Sequence, residues 1–332
     1  YYLAGASAVP KKQNRRSSDI TDSLIEKIVA SRVKSTVLGD RRQITQFLRD
    51  YFSNVGAEDL QGQSPKKLAN TALAHIEFAK NRRKGQALIR IFNPPVEDDG
   101  TGLAYTIVEM VNDNMPFLVD SVSVAIDRQN LDVHVTIHPI LRVRRTVKGQ
   151  LKKLVPQIDR SGQDESFIRF SIERETDPHQ LKLLHQEIVN VLGDVRVAVR
   201  DWRAIRSKMQ EAKESLSVGP IGADEELRAE SMELLEWMAD DHFTFLGYRE
   251  YALKRRGKKV ILQPVKDSGL GVLSRDERGG RAIELSKEMQ RHARSKDWLI
   301  ITKANSRATV HRHSFLDYIG VKKYDKKGKL IG

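Results

Sequence analysis

The chain has 332 residues, 39% hydrophobic and 30% charged, with 57 lysines and arginines against 44 acids, a net charge of +13 and no cysteine. That length can bury a large core and predicts two or three domains, while the missing cysteines exclude disulfides and thiolate zinc sites and fit a reducing cytoplasm. The apolar runs are strand-length, which excludes a membrane-spanning helix, no secretory pattern is visible, and the basic residues are interleaved with acids, so they read as a solvated surface rather than a nucleic-acid footprint.

Residues 1–18 read as a flexible polar tail. Residues 19–84 read as a helical region. Asp19 or Thr21 can cap a helix to about Ala30, with Leu24, Ile25, Ile28 and Val29 on one face. A second helix is expected from about Asp40 to Tyr51. Ser64-Pro65 opens a third, with Leu68, Ala72, His75, Ile76 and Ala79 spaced for burial.

Residues 85–201 read as one α+β domain. Ala87–Phe92 is a strand, Asn93–Gly102 a turn-rich loop and Tyr105–Val111 a second strand. A polar knot follows at Asn112-Asp113-Asn114, and Pro116 opens a helix with Leu118, Val122, Ala125 and Ile126 inward. Val133–Val143 alternates, with Val133, Val135, Ile137, Leu141 and Val143 on one side. Phe167–Ile172 is a strand. Asp177-Pro178 starts a helix carrying Leu181, Leu184, Ile188 and Val191, which Gly193 ends, and Val195, Val197 and Val199 form a last strand. From Tyr105 to Asp201 the predicted order is β-α-β-β-α-β, the ferredoxin-like sandwich.

Residues 202–223 read as a charged helix and a Gly/Pro linker, the latter from Ser217 to Ala223. Residues 224–332 read as a second, mostly β module. Asp224 caps a helix anchored by Leu227, Met232, Leu235 and Trp237, and strands are expected at Phe243–Leu253, Lys259–Val265, Trp298–Lys303, Ala308–His313 and Tyr318–Tyr324. Tyr324–Lys329 is a hairpin turn whose return strand reaches only Gly332, so the module reads as truncated and the chain as a segment of a longer protein.

Few residues invite chemistry. His134 and His138 would stand roughly 13 Å apart on a strand, too far to share a metal. His311 and His313 are closer, but no third ligand is evident. Asp240-Asp241-His242 could be an acid/base cluster but reads as a polar turn, because nothing in the sequence shows a partner. Gly269-Leu270-Gly271 and Gly279-Gly280 do not form the strand–GxGxxG–helix arrangement that cradles a dinucleotide. The corner at Asn112–Pro116 has two readings. It is a tight turn whose side chains satisfy local N–H groups, or it is a small-ligand or subunit contact at a helix N-terminus.

Several blocks carry a resemblance. They are Phe47–Phe52, Gly85–Pro94, Val111–Val122, Ala239–Tyr251, Thr302–Asn305, Thr309–Arg312 and Leu316–Lys322. In this order they resemble the regulatory region of the large bacterial NAD-specific glutamate dehydrogenases, with Val111–Val122 similar to the first of two ACT-type domains and Ala239–Tyr251 to the start of the second. The resemblance implies a parent enzyme that oxidises L-glutamate with NAD, a catalytic domain elsewhere in that protein, and a non-catalytic segment here that binds no NAD itself. It implies a cytoplasmic homo-oligomer, and an amino-acid effector at Asn112, Asp113, Asn114, Met115, Pro116 and Phe117. Many ACT domains place glycine directly after the proline of this corner, where this chain has Phe117, whose side chain would crowd a ligand. A purely structural oligomerisation module is one alternative. An RNA-binding ferredoxin-like protein is another, although the sheet lacks a basic-aromatic stacking pattern.

Overall fold

The computed structural model describes residues 15–332 except 32, 57, 61–62, 96–103, 220–223, 258, 276–279, 294 and 296, with backbone alone for 15–22. Most of the expected tail, and parts of the expected loop at 93–102 and of the linker at 217–223, lie outside the described residues. The chain divides into two compact units, the first Val9–Leu192 and the second containing Gly193–Gly332.

The first unit opens with α1 (Arg15–Ala30), α2 (Arg41–Phe52) and α3 (Pro65–Phe78). The caps follow the sequence: the Gln43 N–H donates to the Asp40 carboxylate at 2.8 Å, and the Lys67 N–H to the Ser64 hydroxyl at 3.2 Å. α1 starts four residues before Asp19, because no glycine or proline interrupts Arg15–Ala30 and a capping residue does not stop a helix. Ile28, Phe47, Leu48, Phe52, Ala72 and Ile76 are fully buried between these helices and the sheet.

The sheet contains β1 (Leu88–Phe92), β2 (Thr106–Asp113), β3 (Val133–Ile137), β4 (Ile140–Arg145), β5 (Leu151–Leu154) and β6 (Gln163–Ile172), and α4 (Leu118–Asp127) joins β2 to β3. Its order is β1-β2-β6-β4-β5 with β3 also on β6, and every pairing is antiparallel. The strand expected at 133–143 is split into β3 and β4 by His138-Pro139. Proline has no N–H for a ladder, yet its carbonyl still accepts from the Phe167 N–H at 3.0 Å, so both halves stay on β6. Residues 151–154 were not expected as a strand, being too short to show a period.

The largest departure is α5, a continuous helix from Pro178 to Ser215. The expected closing strand at Val195, Val197 and Val199 is therefore helix, and Gly193 does not end it. Leu184, Ile188, Val191, Val195 and Ala198 are buried at helical spacing, whereas Val197 and Val199 are only half-buried. Three valines alternating over five residues fit either period, and the longer pattern decides. Beside β2, β1 lies antiparallel with Leu88 opposite Val111 and Phe92 opposite Ile107.

The two faces of this sheet differ. One carries Val111, Ile137, Leu141, Val143 and Phe167, which share a core with α1–α3. On the other, Val108, Met110, Ile168, Phe170 and Ile172 are fully buried, as are Val122, Ala125 and Ile126 of α4. An ion pair from Arg128 to Glu187 at 3.1 Å ties α4 to α5.

In the second unit, Asp224 caps α6 (Glu225–Trp237), its carboxylate accepting from the Glu226 and Leu227 N–H groups. The short β7 (Gly247–Tyr248) pairs with β10 (Leu270–Gly271), while β8 (Tyr251–Arg256), β9 (Lys259–Pro264) and β11 (Ile283–Glu284) form a separate three-stranded sheet. The single strand expected at 243–253 is thus divided between two sheets, and Phe243–Leu246 belong to neither. α7 (Lys287–Ala293) precedes a ribbon of β12 (Leu299–Arg307) and β13 (Phe315–Val321). The strand expected at 308–313 is instead the ribbon's connection, closed by the Ala308 N–H donating to Ser314 at 2.8 Å, with His311 at φ 71°. The core of this unit is Met209, Leu216, Leu235, Met238 and Trp298. Trp237, expected as an anchor, is 51% exposed because it lies on the opposite side of α6 from Leu235. The Tyr324–Lys329 turn forms as expected, with a bridge from Tyr324 to Leu330.

Candidate functional site

The corner after β2 is tighter than its sequence suggests. Asn112 and Asp113 are the last residues of β2, opposite Ser166 and Glu165, so only Asn114–Phe117 turn the chain. Asn112 is fully buried. The Asp113 carboxylate accepts from Arg82 at 2.8 Å and from the Gly85 N–H at 2.9 Å. The Asn114 N–H donates to the Asp164 carbonyl at 3.0 Å, and its side-chain oxygen accepts from the Ser166 hydroxyl at 2.9 Å. Asn114 and Pro116 are exposed, and Met115 and Phe117 are half-buried.

Phe117 occupies the N-cap position of α4 with φ 70° and ψ 2° and makes no side-chain cap bond. The left-handed region costs a bulky residue about 1–3 kcal/mol and suits glycine. The position where the resemblance leads one to expect glycine therefore does need glycine's conformation, and phenylalanine adopts it under strain. The helix start could attract an anion, but Asp120 in the first turn already sets a carboxylate there.

Beneath the corner is a buried ion network, held on the face that α1–α3 cover. The register aligns Arg90, Glu109 and Arg169 across β1, β2 and β6. Glu109 is fully buried; Arg90 donates to it at 2.6 Å, Arg169 donates to its other oxygen, and Arg90 also donates to the Ala74 carbonyl of α3 at 3.0 Å. Four residues along β2, Asp113 stands directly opposite Glu165. Like charges so placed repel, and the fully buried Arg82 guanidinium bridges them at 2.8 and 2.7 Å. Arg145 grips Glu165 with two bonds, 2.7 and 2.8 Å, and donates to the Ala79 carbonyl just past α3 at 2.9 Å. The arginines thus fasten the helical layer to the sheet as well as neutralising it.

His75 of α3 completes the layer. The Tyr51 hydroxyl lies 2.8 Å from its Nδ1 and the Met110 carbonyl 3.3 Å from its Nε2. A carbonyl only accepts, so Nε2 carries the proton and Nδ1 accepts from Tyr51. Burial drives the His75 pKa down to about 4, so the ring is neutral at neutral pH, and burial also raises the Tyr51 hydroxyl. Burial works against the charge on Glu109, but His75, Arg169 and Arg90 outweigh it and hold the carboxyl below its usual range. Since His75 is neutral, the arginines are the effective partners. Burial likewise opposes Glu165, and bonds from Arg145 and Arg82 win.

The other sequence candidates stay apart. Among the described residues no group of three or more His, Asp or Glu side chains could hold a metal. Burial lowers the His138 pKa. Asp240 and Asp241 lie in a turn with non-helical backbone, where Arg206 meets Asp241 at 3.2 Å and His242 stacks on Trp237. The Gly271 N–H donates to the Asp201 carboxylate and the Val272 N–H to the Leu246 carbonyl, both at 2.9 Å. Gly279 lies outside the described residues.

Sequence reasoning did not single out Arg82, Arg90, Glu109, Glu165 or Arg169. A signal was present: Glu109 interrupts an apolar strand, and Glu165 and Arg169 alternate with Phe167 on the side of β6 that carries core residues. A charge at a buried strand position demands a partner.

The glutamate dehydrogenase ACT1 domain family matches residues 47–188, which hold the corner and the whole ion network. The NAD-specific glutamate dehydrogenase of Pseudomonas aeruginosa is 30% identical over 301 residues, 89% of this chain and 18% of that protein. That of Halomonas elongata is 29% identical over 296 residues, 87% and 18%. That of Mycobacterium tuberculosis is 25% identical over 216 residues, 63% and 13%. The chain therefore spans less than a fifth of the length of these curated relatives. Among the described residues no helix is long and apolar enough to cross a membrane.

Proposed function

We propose that this chain, which belongs with the NAD-specific glutamate dehydrogenases through its ACT1 region, is a non-catalytic regulatory and assembly segment of such an enzyme. The parent reaction is oxidation of L-glutamate by NAD and water to 2-oxoglutarate, ammonia and NADH, in a cytoplasmic homo-oligomer. The observation that carries this reading is similarity along 89% of the chain to one enzyme of that name and along 87% to another. The order β1-β2-β6-β3/β4 supports reading the first unit as a ferredoxin-like, ACT-type sheet whose outer strand comes from before the motif instead of after its second helix. The second unit is read as a further ACT-like module on the sequence resemblance alone.

An amino acid at the first corner would rest on Asn114, Met115, Pro116 and Phe117, with Asn112 and Asp113 as the framework beneath. To regulate a distant site it must bind one conformational state better than another. A purely structural role is favoured by two observations, the engagement of Asp113 with Arg82 and the side chain of Phe117 at the glycine position.

Two measurements test the reading. The chain mixed with L-glutamate and NAD is expected to yield no NADH, and NADH formation would overturn the non-catalytic assignment. Calorimetry against a panel of amino acids is expected to show heat with at least one. No heat with any, together with an unchanged effector response in a full-length Asp113→Ala enzyme, would replace the sensor with the structural role.

A further inference from the structure

We propose that copies of this chain dock on one another through an acidic stripe on α6 and a basic edge of the first unit. This inference rests on the assembly half of the proposed role and names its surfaces.

The stripe follows from helical spacing. Glu226, Glu230, Glu233 and Trp237 recur at intervals of four, three and four residues, so they lie on one side of α6, and all are exposed. Asp240 follows just past the helix. Leu235 and Met238, on the other side, are buried. Among the described residues no cation pairs with Glu226, Glu230, Glu233 or Asp240, although Glu225, Glu236 and Asp241 have partners. Residues 225–242 hold seven acids and one arginine in a chain whose net charge is +13. Within this stripe Trp237 is 51% exposed, and its ring is held against His242, with centroids 4.8 Å apart and planes 16° from parallel. A large aromatic already fixed in position loses little freedom on contact, which is how interface anchors work.

The basic edge combines two segments. The Arg82 N–H donates to Gly149 at 3.0 Å, the Leu151 N–H donates to Lys80 at 2.8 Å, and Asn81 bridges Gln150, so residues 81–84 lie beside 148–151. Neither 80–87 nor 144–156 contains an acid. The buried arginines Arg82 and Arg145 are neutralised by Asp113 and Glu165, and the half-exposed Arg144 by Asp159. Arg83, Lys84, Lys148, Lys152 and Lys153 are exposed and meet no carboxylate among the described residues. At the hairpin tip Val147 is fully exposed, an apolar mate for Trp237. Lysines on the edge strand β5 discourage strand addition, so the fitting partner is a side-chain surface such as the α6 stripe. Because the two surfaces differ, the contact is head-to-tail.

Sedimentation of the 332-residue chain at low and at high ionic strength tests the contact, with circular dichroism verifying the fold of each variant. Association is expected at low salt and its loss at high salt. Glu230→Lys with Glu233→Lys, or Lys152→Glu with Lys153→Glu, should each weaken it at least tenfold, and Trp237→Ala should weaken it at any salt. Mixing the two reversed proteins should restore a complex. A chain that is monomeric at low salt, or association indifferent to either reversal, overturns the proposal. So do reversals that shift only the melting of a monomer, which would put the pairing within one chain. Loss of RNA retention by the lysine variant with association intact would give the edge to a polyanion and also overturn it. A monomer that still binds an amino acid in calorimetry defeats this contact and leaves the regulatory reading standing.

Discussion

The two units are built around different interiors. The first has a six-stranded sheet whose charged face is roofed by α1–α3, and each carboxylate there has an arginine from another element against it. The second, among its described residues, has no sheet wider than three strands. Its ribbon leaves Ile301, Phe315 and Tyr318 largely exposed, and its core centres on Trp298 with Leu216, Leu235 and Met238. Burying an ion pair gains little over an apolar pair of the same shape, but breaking one is costly. The first unit should therefore be sensitive to loss of a single charge, and the second to loss of apolar volume.

Substitutions in each unit can break that contrast. All three tryptophans, Trp202, Trp237 and Trp298, lie after residue 193, so tryptophan fluorescence follows the second unit while circular dichroism follows both. Glu165→Ala leaves Arg82 and Arg145 buried without their shared carboxylate and should cost about 3–5 kcal/mol. In denaturant the loss should appear in circular dichroism with the fluorescence midpoint unmoved. Leu235→Ala should cost about 3 kcal/mol through the cavity it leaves and move the fluorescence midpoint. A Glu165→Ala protein that shifts both signals equally would mean the units unfold as one.

A smaller effect comes from pH. The His75 pKa falls from 6.5 unfolded to about 4 folded. Below pH 6.5 the unfolded chain takes up a proton that the native ring refuses, so stability present above 6.5 is lost as pH falls toward 4. The loss is up to about 3 kcal/mol at 1.36 kcal/mol per unit. Burial displaces His138 in the same direction. Glu109 and Glu165 are depressed from 4.5 and add their loss only below that pH. A slope between pH 6.5 and 4.5 therefore belongs to the histidines. Circular dichroism midpoints should show it, His75→Gln should flatten most of it, and the fluorescence midpoint should stay level. Equal slopes with and without His75 would refute the assignment.

How much of this was legible depends on the length of each pattern. Caps at Asp40, Ser64 and Asp224 and the apolar faces of α3 and α4 follow from local chemistry. Val195–Val199 misled because five residues cannot separate a period of 2 from one of 3.6, while Leu184 through Ala198 can. Of the candidate site, the corner was visible as punctuation, but its partners were not. Arg82 lies 31 residues from Asp113 and 83 from Glu165, and such pairings depend on strand order, which no local signal carries. Nor did the polar run Asn112-Asp113-Asn114 reveal that β2 continues through its first two residues.

Phe117 sharpens the comparison on the smallest scale, since the first unit there tolerates backbone strain. With φ at 70° the backbone is where glycine is at ease and phenylalanine is not. Phe117→Gly removes about 1–3 kcal/mol of strain, but it frees the unfolded chain by about 1 kcal/mol and gives up the packing of a half-buried ring. These offset, so the circular dichroism midpoint should move by less than about 1 kcal/mol. Phe117→Val keeps the same φ with a β-branched side chain, for which that region is a true outlier, and should cost about 1–2 kcal/mol. The order Gly above Val identifies backbone conformation as the controlling term. If Val matches the parent and Gly falls well below both, the ring's packing holds the corner and strain does not matter there. Glycine also clears the space in front of the α4 N-terminus, so Phe117→Gly is the variant in which an amino acid should bind more tightly if the ring is what obstructs it.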